Sequence, residues 1–120
     1  MPEYLQHLPD RAAFAAKRMT KLDCFHSNRL LVGLNCFEPG QAQEVHTHAA
    51  ADKFYVLLSG KATFSVAGAR YEAGPGDLIL APAGVPHGVE RAAERTVVLV
   101  AIAPGPSAAG LNRSSPPTDT

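Results

Sequence analysis

Neither sign of charge prevails in this chain of 120 residues: Lys and Arg number 11, Asp and Glu also 11, and the formal net charge is zero. Without a basic surplus, neither nucleic acid nor an anionic membrane surface is expected as a partner. Long apolar runs are missing as well. No stretch approaches the roughly 20 residues a spanning helix needs, and Met1-Pro2-Glu3-Tyr4 lacks the basic-then-apolar layout of a secretory leader. A soluble, cytoplasmic protein is the expectation. Cysteine is scarce: Cys24 and Cys36 stand alone, without CxxC or paired metal spacing. That excludes a disulfide framework and a redox centre and leaves ordinary reduced, partly buried thiols. Nothing resembles a Ser-His-Asp triad or a phosphate-cradling Gly-rich loop, so those chemistries are set aside.

What is present is punctuation. Hydrophobic residues make up 46% of the chain, enough for one small core, and Gly40, Gly60, Gly68, Gly74, Gly76 and Gly84 cut its middle into short pieces. Leu30 to Phe37, Phe54 to Leu58, Thr63 to Val66, Leu78 to Leu80 and Thr96 to Ile102 read as strands, the last rich in β-branched residues. Short strands with little helix between them predict an antiparallel sandwich or barrel. Ahead of them, Asp10 is placed to cap a short helix over Arg11 to Lys17 after Pro9. Arg18 to Asp23 reads alternatively as an extra edge strand, a position from which chains often pair with a second copy, so a homodimer is expected. Residues 1–23 form this extension, 24–103 the barrel and 104–120 a Pro-rich flexible tail whose one large aliphatic is Leu111.

Three of the five histidines, His46, His48 and His87, fall in the strand-rich middle. On a strand, residues two apart project to one face with Cα atoms about 6.5–7 Å apart, so His46 and His48 are able to converge on one ion; they fit an exposed strand equally well. The segment runs Gly40-Gln-Ala-Gln-Glu-Val-His46-Thr-His48 and continues through Asp52-Lys53 to Gly60. Later comes Gly76-Asp-Leu-Ile-Leu-Ala-Pro82-Ala-Gly84-Val-Pro-His87, ending at Arg91. Together these resemble, in order, the two motifs of the cupin superfamily, over Gly40 to Arg91. The resemblance implies an all-β fold, a double-stranded β-helix or jelly-roll barrel with a short N-terminal helix or extra strand, and histidines on neighbouring strands facing its interior. Gly60 and Pro82-Ala83-Gly84 are read as turn formers.

Two departures bear on chemistry. Lys53 stands where the family carries a metal-binding Glu, and Arg91 where it carries Asn. A protonated Lys has no lone pair to give, so the resemblance implies a shell of His46, His48 and His87. Imidazole donors suit a divalent transition metal, Zn, Fe, Ni or Cu. Two carboxylates are candidates to replace the lost ligand: Glu44, which shares parity with His46 and His48 on an unbroken strand, and Asp52, if strand entry is bent. Losing the Glu leaves the centre more positive, favouring an anionic ligand or easier deprotonation of bound water. Lys53 then contacts an anionic substrate, pairs inward with Glu44 or another carboxylate, or marks a site that has lost its metal. Tyr55 shares the face of Lys53, and Phe37 and Phe64 line the interior or pack in the core. His7 and His26 belong to surface or loops, and Arg70, Arg91 and Arg95 form no phosphate site.

The functional expectation is a metal-dependent enzyme, dioxygenase-like, with Lys53 and Tyr55 positioning a small anionic or enolic substrate. Isomerase or lyase chemistry is a lesser expectation, since the fold hosts many reactions. The alternative is a non-catalytic module that binds or senses a small ligand.

Overall fold

The structure, a computed structural model, describes residues 4–105. The tail expected over 104–120 lies outside the described residues beyond Gly105. The described residues form one helical turn, α1 (Leu8–Arg11), and nine strands: β1 (Thr20–His26), β2 (Leu31–Phe37), β3 (Gln43–His46), β4 (Asp52–Ser59), β5 (Ala62–Val66), β6 (Ala69–Ala73), β7 (Leu78–Ala81), β8 (His87–Ala92) and β9 (Thr96–Ala103). They build two sheets, ordered β1-β2-β9-β4-β7 and β3-β8-β5-β6, with every pairing antiparallel. This is the jelly-roll barrel expected. No helix among the described residues is long and apolar enough to cross a membrane.

Period-two alternation places the core. Along β4, Lys53, Tyr55 and Leu57 are buried while Phe54 and Leu58 are exposed; along β5, Ala62, Phe64 and Val66 are buried. Phe37, Tyr55, Phe64, Val89, Val98, Val100 and Ile102 meet between the sheets. Phe37 and Phe64 are therefore core residues. Gly60 turns β4 into β5 at φ +93°, and a Cβ there would meet the Arg95 carbonyl at 2.3 Å, so glycine is required by both conformation and space.

The N-terminal segment differs from expectation. The helix is a single turn over Leu8–Arg11 with His7 as its N-cap, and it ends where Ala12 turns extended, at φ −62° and ψ 133°. The Ala13 carbonyl, which a helix over Arg11 to Lys17 would use internally, accepts from the Thr20 hydroxyl instead, and the Ala15 carbonyl accepts from Gln41 Nε2 at 2.8 Å. Tertiary hydrogen bonds outweigh the weak helix preference of an alanine-rich segment. The edge strand does form, shifted to Thr20–His26, pairing Thr20 with Cys36 through to His26 with Leu31. Cys24 and Cys36 are free thiols, and burial raises the pKa of both.

Candidate metal centre

The site is built on the β3–β8 ladder, where His46 lies directly opposite His87. Between that pair and the next, Gln43 opposite Val89, β3 carries two residues against one on β8. This is a β-bulge. It turns Glu44 and Val45 outward and leaves Gln43 buried, so the unbroken-strand expectation that Glu44 points inward does not hold. Gly88 makes the bulge possible: a Cβ there would meet the Gln43 carbonyl oxygen at 2.8 Å, the Glu44 carbonyl oxygen at 3.0 Å and Val45 Cα at 3.0 Å.

The same bulge orients an imidazole. His46 Nδ1 donates to the Glu44 carbonyl at 2.9 Å, and His87 Nδ1 donates to the Val85 carbonyl at 2.9 Å. Each bond fixes the tautomer that leaves Nε2 with its lone pair. His48 lies just beyond the end of β3, and its carbonyl accepts the Gly84 N–H at 2.8 Å. The Pro82-Ala83-Gly84 turn thus braces the segment carrying His48 as well as reversing the chain.

The three rings converge, with centroids 4.4 Å apart for His46 and His87, 5.0 Å for His46 and His48 and 5.3 Å for His48 and His87. One donor atom from each lies within 4.8 Å of the others. His48 Nε2 and His87 Nε2 are buried and meet no hydrogen-bond partner. Buried polar atoms are normally satisfied; two aimed at a common point are what a bound ion would satisfy. Burial, reinforced by the charge on Lys53, lowers the pKa of His46 and His48 to about 4 and that of His87 as well. All three are neutral donors at pH 7, so the residues fit a nitrogen-ligated divalent metal.

Lys53 points inward and is 2% exposed. Its Nζ lies 3.4 Å from His46 Nε2 and 4.6 Å above the Tyr55 ring. Tyr55 packs against Phe64 at 4.9 Å and His87 at 6.2 Å, and its hydroxyl donates to Gln43 Oε1 at 3.0 Å; burial raises its pKa. Neither candidate carboxylate joins the histidines. Glu44 is exposed, and Asp52 is occupied at the turn, where its Oδ1 accepts the Ala83 N–H at 2.9 Å. Arg70 pairs with Glu90, while Arg95 pairs with Glu38 at 2.9 Å and lies over Phe14. A groove of about 430 Å³ between β6 and β7, bordered by Tyr71, Glu72 and Asp77, contains none of the three histidines.

Three neighbours of the site escaped the sequence reading. Gln43 was hidden because a bulge resets strand parity without a sequence mark, and Gly88 because it resembles any strand glycine. Lys21, whose charge acts on His46 and His48, comes from β1, outside both motifs.

Two facing antiparallel sheets closed around an interior histidine cluster define a double-stranded β-helix barrel. The family model for the cupin domain matches residues 33–103, and the chain belongs to the cupin family. A crystal structure of TT1209 from Thermus thermophilus is similar at 37% identity and TM-score 0.81, over 85% of this chain and 98% of that one. An RmlC-like cupin from Desulfovibrio desulfuricans shares 30% identity at TM-score 0.78, over 86% and 98%. The DMSP lyase DddQ from Ruegeria pomeroyi shares 26% identity at TM-score 0.65, over 72% of this chain and 47% of that one. No curated protein matches the sequence.

Proposed function

We propose that His46, His48 and His87 hold one divalent transition metal, Zn, Fe, Ni or Cu, and that the chain is a metal-dependent, dioxygenase-like enzyme acting on a small anionic or enolic substrate. The observation that carries the metal reading is the pair of buried, unpartnered Nε2 atoms of His48 and His87. When bound, the metal supplies Lewis acidity and, for iron, nickel or copper, a redox centre. The protein's own residues do the rest. The Glu44 and Val85 carbonyls hold the His46 and His87 rings in the donor tautomer. Lys53 offers an ammonium to a substrate oxyanion, and the Tyr55 ring supports that ammonium from below.

A second reading is a module that binds a small ligand without turnover. The Lys53 ammonium against His46 Nε2 favours it, because that contact covers one donor atom. Similarity to DddQ keeps lyase chemistry beside the oxidative one. We further infer a homodimer, supported by the edge position of β1; sedimentation at a single mass of one chain would overturn it.

Metal content by elemental analysis, followed by oxygen uptake with enediols, flavonoids, thiols and 1,3-diketones under Fe(II), Ni(II) and Zn(II), tests the function. A stoichiometric ion with turnover supports the enzyme. Ligand-induced thermal stabilisation without turnover supports the binding module.

A further inference from the structure

The histidine cluster is faced by cations from two separate strands. Lys53 rises from β4 and touches His46. Lys21 sits on β1 directly opposite Asn35, which is in turn opposite Val98 of the interior cluster. Residues directly opposed across a ladder share a face, so Lys21 leaves its strand on the interior side. Of the neighbours whose charge acts on His46 and His48 while the rings are neutral, Lys53 and Lys21 are both cations, and no carboxylate is among them. Among the described residues, the group of converging donor atoms contains no carboxylate oxygen.

A divalent ion entering this cluster meets neutral nitrogens and positive surroundings. At these separations, in a partly buried setting where water screens poorly, like charges repel strongly. The ion's own field is therefore not balanced by the protein. A negative ligand has to balance it, and Lys53 is positioned to hold that ligand beside the histidines. Beneath Lys53 the interior is closed by Tyr55 packed on Phe64, both fully buried.

Resting on the metal reading above, we propose that this site takes up its metal together with a small organic dianion of the dicarboxylate class, one carboxylate directed to the three-histidine face and the other to Lys53, with Lys21 adding to the positive field. The two ligands are then thermodynamically coupled. Each raises the affinity of the other by the same factor, and the metal alone binds weakly for a three-histidine set.

The test is equilibrium dialysis of the full chain against Zn(II) at fixed free concentration, in malonate, sulfate or acetate. Malonate is expected to raise zinc affinity by about tenfold or more, within the ordinary range of ligand coupling, with sulfate and acetate giving about threefold or less. Lys53→Met is expected to bind zinc more tightly without anion and to lose most of the malonate effect. Lys21→Met, on the edge strand, is expected to lose part of it, and serves should Lys53→Met fail to fold. Stoichiometric zinc with equal affinity in all three anions overturns the coupling and leaves the metal centre standing. Sulfate matching malonate overturns the dicarboxylate assignment. An undiminished malonate effect in Lys53→Met or Lys21→Met overturns the role of that lysine. No zinc in any anion overturns both the coupling and the metal reading.

Discussion

Lys53 Nζ stands 3.4 Å from His46 Nε2, so an ammonium from β4 faces the lone pair that a metal ion would use. Replacing the lysine by a carboxylate reverses the sign of that contact. Lys53→Glu is expected to tighten zinc binding by at least about tenfold, corresponding to roughly 1.4 kcal/mol. Isothermal titration reads the change; unchanged or weaker binding would mean that position 53 does not reach the ion.

Removing one imidazole should uncouple metal from stability. For His46→Ala, metal content is expected to fall well below one ion per chain, and the rise in melting temperature on adding zinc should disappear, because a ligand stabilises only the state that binds it. Retention of both metal and zinc-dependent melting in this variant would sink the three-histidine assignment.

The depressed histidines predict a pH profile. In the folded, metal-free chain His46 and His48 protonate at about 4, against an ordinary value of 6.5. Between those values the unfolded chain binds more protons, so stability rises with pH there. It is fully present above pH 6.5 and is lost as pH falls toward 4. Denaturant midpoints of metal-free protein should be flat from pH 8 to 6.5 and decline below. The double variant His46→Ala, His48→Ala should show a shallower decline. Whatever the zinc affinity at pH 7, protons should begin to compete with it at His46 and His48 only as pH falls toward 4, below the range in which ordinary histidines protonate.

Gly88 predicts a link between strand packing and metal affinity. A Cβ there would press on the Gln43 and Glu44 carbonyls, and the second of these orients His46. Gly88→Ala is expected to cost roughly 1–3 kcal/mol as an overpacking change and to weaken zinc binding. Gly74→Ala, where a Cβ meets nothing within 4 Å, serves as the neutral control. Equal behaviour of the two variants would remove the bulge from the account.

Tyr55→Phe keeps the ring under Lys53 and removes the donor to Gln43 Oε1. A stability loss of roughly 1–3 kcal/mol is expected from the lost buried hydrogen bond, with little change in zinc affinity. A large loss of metal binding would assign the hydroxyl a direct part in the site.

Legibility followed the physics of each signal. The histidine cluster was readable because His46, His48 and His87 sit in spaced motifs whose glycines and prolines fix the turns between strands. That Lys53 and Tyr55 share a face followed from period-two alternation along β4 ahead of its register shift at Leu57 to Ser59; that this face is the interior one emerged only in the fold, where both are buried. Parity failed at Glu44, since one extra residue in β3 inverts every face before it and no local composition announces the insertion. The helix expected over Arg11 to Lys17 failed differently: its backbone found partners in Thr20 and Gln41, the latter 26 residues away in sequence and invisible to local propensity. Lys21 reaches the site's field only through the pairing of two sheets, which no single segment encodes.

Among the described residues β1 pairs with β2 alone, whereas the histidines ride on the β3–β8 ladder and its flanks. The charge reaching the site from Lys21 is thus mounted on the edge strand of one sheet, apart from the ladder of the other sheet that sets the nitrogen geometry. Substitutions in that strand can retune which anions the cluster tolerates while the arrangement of the three rings stays as it is, so ligand preference and metal geometry are free to diverge independently.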